Sequence, residues 1–245
     1  MRRGNGLLYA LACLVVGCAS VGVDRAAEVA RTWEAVRVYL PGVISRFTPA
    51  TVPARDPFPT VLYLHGCTGI GASSERWART LTAAGYAIVM PDSFAREYRR
   101  QNCDPTVFRT GVFPEAGEMR QEEIGYALGR LRALPWVDQR NLFLMGHSEG
   151  GRAVADWSGA GFNAHAISGS RCSGGVRAPR ATPVLAVNFE YDPWAGRRSR
   201  ETCTSRFGGR ENAREVMLPG SGHDTSRSRE AINAVVEFLR AHTVR

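Results

Sequence analysis

The chain of 245 residues contains no lysine, so its 31 basic residues are all arginine and its formal net charge is +8. A nucleic-acid partner would require these arginines to form a contiguous stripe, often interleaved with aromatic side chains. Their densest groups, at residues 96–100 and 197–200, are small, and most of the others are spread among Glu and Asp. We therefore expect no nucleic-acid partner.

Other features are also missing from the sequence. It contains no C-x-x-C pair, which argues against a zinc ribbon or a thioredoxin-like redox centre, and we expect neither a metal nor a cofactor. It has no internal repeat. With 44% apolar and 22% charged residues, its composition excludes a disordered tail, a collagen-like repeat and a coiled coil, and it fits a globular domain of mixed class.

Residues 1–17 have the pattern of an export signal. Arg2 and Arg3 are followed by an apolar stretch, residues 7–16, that is too short to span a bilayer as a lasting helix. Residues 15–18 read Val-Val-Gly-Cys and resemble the lipobox of bacterial lipoproteins, in which the cysteine is acylated and becomes the mature N-terminus. The resemblance implies lipidation at Cys18. The alternative is an ordinary secretory peptide cleaved near residues 19–20.

Both alternatives export the protein, and the lipobox implies a lipid anchor to the membrane. Ala19, rather than Asp, follows the cysteine, which in lipoproteins favours the outer membrane. We expect an outer-membrane lipoprotein at the periplasmic face of the cell envelope.

Apolar runs alternate with amphipathic segments along most of the chain. Strands are predicted at residues 31–40, 60–64, 86–90, 141–145, 164–168, 184–189 and 215–218, and helices at 73–84, 118–134, 151–157 and 229–241. This order predicts an α/β fold, a doubly wound and mostly parallel sheet with helices on both faces. We expect residues 18–54 to be a tether and N-terminal strand region and residues 55–245 to be one catalytic domain. Too few residues separate the strands at 164–168 and 184–189 for a cap domain.

The sequence Gly146-His147-Ser148-Glu149-Gly150-Gly151 stands between a predicted strand and a predicted helix. A nucleophile elbow requires this context, a sharp turn that exposes the serine oxygen, with small residues two positions before and two after the serine. Ser148 is therefore the candidate nucleophile.

The base and the acid of a triad are expected after the serine in chain order. Of the five histidines, His223 alone follows the serine in a Gly-rich loop after the last predicted strand, whereas His65, His147, His165 and His242 are poorly placed. Asp192, after the strand at 184–189, is the candidate acid. Glu190 is its alternative, and Asp224 is too close in sequence to His223 to orient it.

An oxyanion hole needs two backbone N–H donors, one from the residue after the nucleophile and one from the loop after an earlier strand. These donors are Glu149 and, in the sequence His65-Gly66-Cys67, Cys67. Cys67 could alternatively be a nucleophile itself, although no base follows it in a suitable context.

Residues 55–243 resemble the dienelactone hydrolase-like group of the α/β-hydrolase superfamily, especially exported members with an HGC loop and a Pro-Asp-Ser-Phe run, here Pro91–Phe94. The resemblance implies a serine hydrolase that cleaves carboxylic esters of small molecules, with Ser148, Asp192 and His223 as its triad. The founding dienelactone hydrolases use a cysteine nucleophile, so the lactone substrate is not carried over. A peptidase or a polyester or polysaccharide-ester depolymerase would share this triad, and a non-catalytic envelope protein on the same fold is a further alternative.

Four cysteines remain in the exported chain, at positions 67, 103, 172 and 203, and they allow three pairings. Loops that follow parallel strands emerge at one edge of the sheet, and consecutive strands are often neighbours. We therefore predict Cys67–Cys103 and Cys172–Cys203, with four free thiols as the alternative. The long connection at 91–117 would then form a wall of the site, where Arg96, Arg99 and Arg109 could recognise an acidic substrate or simply lie exposed.

Lipidation can be tested with a Cys18→Ser variant in a host that has lipoprotein-processing enzymes. We expect wild-type protein to incorporate labelled palmitate and to be retained in the membrane fraction, because the acyl chains anchor its N-terminus. The variant should do neither. Wild-type protein without label would contradict lipidation and favour simple secretion.

Overall fold

The computed structural model describes residues 24–43, 46–53, 56–198 and 201–245. The predicted signal peptide and Cys18 lie outside these residues. The helices are α1 (Arg25–Glu34), α2 (Ala72–Ala83), α3 (Ala116–Arg132), α4 (Glu149–Asp156) and α5 (Arg229–Ala241). The strands are β1 (Arg37–Tyr39), β2 (Arg46–Phe47), β3 (Phe58–Leu64), β4 (Ala87–Met90), β5 (Cys103–Asp104), β6 (Arg109–Thr110), β7 (Val137–His147), β8 (Ala164–Ser168), β9 (Val184–Tyr191) and β10 (Ala213–Ser221).

Eight of these strands form the central sheet, in the order β10-β9-β8-β7-β3-β4-β1-β2. All neighbours from β10 to β4 are parallel, and β1 is antiparallel to both β4 and β2. The predicted mostly parallel sheet is confirmed. Because the parallel strands end at the same edge, the loops after β3, β4, β7, β8, β9 and β10 meet there.

Helices cover both faces of the sheet. Residues of α1, α3 and α4 pack on one face with alternate strand residues such as Leu62 and Leu144. Residues of α2 and α5 pack on the other face with the intervening strand residues, such as Tyr63 and Phe143. Strands buried on both faces are expected to be continuously apolar, as the runs in β3, β4 and β7 are.

The N-terminal region differs from the prediction of one strand over residues 31–40. Residues 25–34 form α1 instead, and only Arg37–Tyr39 forms a strand. The Asp24 side chain caps the helix by accepting from two N–H groups, and the buried Val29, Thr32 and Trp33 follow helical spacing. Since β1 pairs with β4, this region belongs to the same sheet as the rest of the chain.

Both predicted disulfides are present, Cys67–Cys103 and Cys172–Cys203. The first joins the loop after β3 to the small β5–β6 hairpin. The two disulfides close loops of 36 and 31 residues. In the chain-entropy model each one stabilises the folded protein by about 3–4 kcal/mol, because it constrains the unfolded chain. The pairing fixes part of the 91–117 connection against the sheet edge.

Within the described ranges, no helix is both long enough and apolar enough to cross a membrane. Residues 169–183, between β8 and β9, form no helix or strand and therefore no cap domain.

His165, in β8, is a polar residue in the core. Its side chain is buried, and neither ring nitrogen has a hydrogen-bond partner among the described residues. Burial, with a smaller effect from Arg210, lowers the pKa of His165 from 6.5 to about 3. The unfolded chain therefore binds a proton at this residue at a higher pH than the folded chain does.

We expect His165→Leu to reduce the acid sensitivity of folding. The wild type should lose stability as the pH falls from 6.5 towards 3, by about 1.4 kcal/mol per pH unit for this histidine, because the unfolded state takes up the proton first. The variant should lose correspondingly less. Urea unfolding at pH 7.5 and pH 5 measures the difference, and parallel losses in both proteins would contradict the prediction.

Candidate active site

Ser148 is the single residue between the end of β7 and the start of α4. Its backbone has φ 58° and ψ −116°, a conformation that residues other than glycine rarely adopt and that costs about 1–3 kcal/mol. The Ser148 N–H donates to the Ser168 carbonyl at 2.8 Å, which ties the turn to β8. The strand-to-helix turn expected from the sequence is therefore formed.

Gly146 and Gly150 allow the chain to reverse so sharply. A Cβ atom at Gly146 would lie 2.3 Å from the Gly150 carbonyl oxygen, and one at Gly150 would lie 2.1 Å from the Leu64 carbonyl oxygen. Neither position can hold a side chain without moving the backbone. The two glycines let α4 begin directly against β3 and β7.

The structure brings Asp192 and His223 together from loops after β9 and β10. The His223 Nδ1 and Asp192 Oδ2 atoms are 2.7 Å apart, and the other carboxylate oxygen of Asp192 accepts from the Trp194 N–H at 2.9 Å. Asp192 is buried. A buried carboxylate in this position can fix the tautomer of the imidazole and stabilise its protonated form.

Glu190, the alternative acid, and Asp224, which the sequence argued against, are both bound elsewhere. Glu190 accepts from the Gly220 N–H at 3.3 Å. Asp224 accepts from Ser73 at 2.8 Å and pairs with Arg76. Burial would raise the pKa of Asp224, but hydrogen bonds from serine side chains and the pairing with Arg76 outweigh it and lower the pKa to about 2.

His147 lies beside His223, and among the described residues no hydrogen bond joins it to Asp192. The centroids of the two imidazole rings are 4.8 Å apart, and His147 Nδ1 is 2.9 Å from Ser168 Oγ. Burial, followed by the proximity of His223, lowers the pKa of His147 to about 3. His147 is therefore a neutral neighbour of His223 at ordinary pH. His65 and His165 lie in the interior, and His242 bonds to its own helix.

A cavity of about 500 Å³ opens at this edge of the sheet, and Ser148, Asp192 and His223 all line it. The complete lining is Cys67, Asn102, Thr110, Gly111, Ser148, Glu149, Arg152, Gly169, Ser170, Arg171, Ser173, Asp192, Trp194, Ala195 and His223. In the part of the chain that the structure describes, no hydrogen bond joins the side chains of Ser148 and His223. Such bonds are often long before substrate binds.

Cys67 and Glu149 also line this cavity, with Ser148. A Cβ atom on Gly66 would be 3.4 Å from the Ser148 Cβ, so the loop after β3 lies directly against the turn at Ser148. The Gly66 carbonyl accepts from the Gly69 N–H at 3.1 Å and lies 2.7 Å from His65 Nδ1. Because that carbonyl and the Cys67 N–H belong to one planar peptide, both contacts orient the N–H.

The sulfur of Cys67 is bonded to Cys103. It is therefore not a thiolate, and the alternative in which Cys67 is the nucleophile does not fit the structure. Glu149 is the first residue of α4, where the N–H group has no partner within the helix.

Two of the loop arginines are buried in ion pairs. Arg96 binds Glu122 at 2.8 Å and Glu123 at 3.2 Å, and Arg99 binds Glu149 at 2.5 Å. Their guanidinium groups are used inside the protein, contrary to the expectation that they could recognise an acidic substrate. Arg109 is exposed on β6, 3.8 Å from Asp104.

Several side chains at or near the site were not singled out from the sequence. Arg120 is completely buried on α3, the Glu149 carboxylate contacts it, and Trp194 packs on His223 with ring centroids 5.5 Å apart. Arg120 and Glu123 interrupt the apolar stripe of α3, and charged residues in such a stripe are the signal that could have identified them.

Arg171 supports the end of β9. Its guanidinium donates to the Phe189 carbonyl and, at 3.1 Å, to the Glu190 carbonyl, just before Asp192. Among the described residues, no group of three or more His, Cys, Asp and Glu side chains is arranged to hold a metal ion.

Residues 47–237 match the model of the dienelactone hydrolase family. The chain matches no curated protein.

Several solved structures share the fold. A cold-adapted esterase from an Arctic intertidal metagenomic library is 19% identical with a TM-score of 0.58, covering 78% of this chain and 85% of that chain. Est1E from Butyrivibrio proteoclasticus, solved with ferulic acid, is 15% identical with a TM-score of 0.57, covering 84% and 94%. A candidate dienelactone hydrolase from Klebsiella pneumoniae is 18% identical with a TM-score of 0.55, covering 78% and 88%.

At these identities the similarity to solved structures shows the fold, and the family model shows the family. The strand order, the turn at Ser148 and the match over residues 47–237 agree with one another. The chain belongs to the dienelactone hydrolase family and has the α/β-hydrolase fold.

Proposed function

We propose that this protein hydrolyses carboxylic esters through an acyl-enzyme intermediate on Ser148. His223 is the general base and then the general acid, and Asp192 orients it. The N–H groups of Cys67 and Glu149 form the oxyanion hole. The observation that carries the proposal is the 2.7 Å contact between His223 and Asp192 in the cavity that also contains the strained turn at Ser148.

In the first half of the reaction, the Ser148 oxygen attacks the ester carbonyl carbon and its proton passes to His223. The resulting oxyanion accepts hydrogen bonds from the Cys67 and Glu149 N–H groups, and each such donor contributes about 3 kcal/mol of transition-state stabilisation. His223 then returns the proton to the leaving alcohol as the bond between the carbonyl carbon and the alcohol oxygen breaks.

In the second half, water replaces the alcohol. His223 takes a proton from the water as the water oxygen attacks the acyl carbon. It then gives the proton to the Ser148 oxygen, and the carboxylic acid leaves. No step requires a group beyond this chain, the ester and water.

The same triad would serve peptide or polymer ester hydrolysis, so the acyl and alcohol groups must be tested. Trp194 lines the cavity. The Phe108 ring packs edge-on against the Trp194 ring, with the ring centroids 5.4 Å apart. These aromatic rings, together with the ferulic acid bound to the similar Est1E, are reasons to include aryl esters beside short aliphatic esters, peptides and polyesters. Hydrolysis of peptides in preference to every ester would favour the peptidase alternative.

We also propose that the reaction takes place at the periplasmic face of the cell envelope. This proposal rests on the lipobox-like sequence that ends at Cys18. The four remaining cysteines support it because they pair, and disulfides persist in oxidising compartments.

Ser148→Ala and His223→Ala should each remove nearly all ester hydrolysis and leave the thermal transition cooperative. Because triad members act as a unit, the double variant should be little worse than either single variant. Steady-state kinetics with a chromogenic ester measure the losses. Glu190→Gln is the matched control, since its carboxylate bonds to Gly220, and it should retain most of the activity.

Substantial activity in purified Ser148→Ala protein would exclude Ser148 as the nucleophile. A loss in Glu190→Gln as large as in His223→Ala would move the acid role away from Asp192.

A further inference from the structure

The two oxyanion-hole donors, the N–H groups of Cys67 and Glu149, lie beyond the paired ends of β3 and β7. The pairing of β3 with β7 ends at Leu64 opposite Gly146. Cys67 and Glu149 are each three residues further along the chain. Something other than the sheet must therefore set the distance between their N–H groups.

Arg120 contacts both donor segments with one guanidinium group. Its Nη2 donates to the His65 carbonyl at 2.9 Å, and its Nε donates to Glu149 Oε1 at 2.9 Å. The group is planar and its side chain is completely buried on α3. A rigid fork of this kind holds its two acceptors at a fixed separation.

On the Cys67 side, the contact reaches the donor through His65. The His65 Nε2 accepts from the Ser93 N–H at 3.1 Å, which leaves Nδ1 to donate to the Gly66 carbonyl at 2.7 Å. That carbonyl belongs to the peptide that carries the Cys67 N–H. Displacing His65 would therefore rotate the donor.

On the Glu149 side, the contact reaches the donor through its own side chain. Burial would raise the pKa of Glu149, but Arg120 and Arg99 outweigh it and hold the pKa below its ordinary value. The carboxylate is thus charged and bound to both arginines, with Arg99 at 2.5 Å. It anchors the first turn of α4 and the N–H at its start.

We propose that Arg120 is a positioning residue that sets the separation of the two oxyanion-hole donors. This inference rests on the proposed function. Arg120 does not touch the reacting atoms. It acts by holding the segments of His65 and Glu149 against each other.

Arg96 provides a matched control. It is also a buried arginine and also binds Glu123, as Arg120 does, but among the described residues none of its hydrogen bonds or ion pairs goes to either donor segment. Substituting lysine at either position keeps the charge and removes the planar fork. Lysine offers one ammonium nitrogen in place of the two guanidinium nitrogens that bind His65 and Glu149.

The experiment compares Arg120→Lys, Arg96→Lys and the full wild-type chain with a chromogenic ester. Arg120→Lys should lower kcat about ten- to hundredfold and leave KM within about twofold, because misplaced donors cost transition-state stabilisation and not ground-state binding. The inhibition constant of an alkylboronic acid, which forms a tetrahedral adduct with the serine, should rise by a similar factor. Arg96→Lys should keep kcat and that constant within about twofold of the wild type.

A wild-type kcat in folded Arg120→Lys, or an equal loss in Arg96→Lys, would overturn the inference.

If Arg120→Lys shows no cooperative thermal transition, Glu149→Gln replaces it, since it keeps the side-chain length and loses the charge. It should then lower kcat and weaken boronic acid binding severalfold, and wild-type values would overturn the inference. If the wild type shows no hydrolysis that depends on Ser148, the proposed function fails as well. If the wild type does hydrolyse the ester through Ser148 and Arg120→Lys has the same kcat, the inference alone fails.

Discussion

The backbone turn at Ser148 constrains the edge of the sheet where the loops after the parallel strands meet. Its positive φ angle is unfavourable for serine and persists because β7, α4 and β3 pack tightly around the turn. The packing is so close that neither Gly146 nor Gly150 has room for a Cβ atom. The hydrogen bond from the Ser148 N–H to Ser168 binds the turn to β8 as well. Strain in one residue is thus maintained by the packing of a complete α/β sheet, and the serine oxygen is held at the edge where the other loops end.

Around this turn, charge is buried in balanced pairs. The guanidinium groups of Arg99 and Arg120 meet the carboxylates of Glu123 and Glu149 with almost no exposure to solvent. Buried charges of this kind are costly if one partner is removed, and a fully paired set adds little to stability compared with apolar packing. Their value here is in geometry, because they join α3, the loop after β3 and the start of α4 where the sheet no longer connects them.

The sequence allowed the sheet, most helices and both disulfides to be predicted, because these depend on local periodicity and chain order. It was less informative about α1, since residues 31–40 alternate apolar and polar residues, whereas the cap at Asp24 and the start of the helical spacing at Val29 lie before that segment. The two-residue strands of the β5–β6 hairpin have no periodicity to detect. The contacts of Arg120 depend on the packing of α3 against the sheet, which no local pattern specifies.

The central claim is that Ser148 is a nucleophile activated by its surroundings. The most direct measurement is peptide mapping after reaction of the folded protein with a fluorophosphonate, compared with the same reaction after unfolding in urea. We expect the folded protein to carry one phosphonyl group, on the peptide that contains Ser148, and the unfolded protein to carry none. An unlabelled folded protein, or a label on a different residue, would contradict the account.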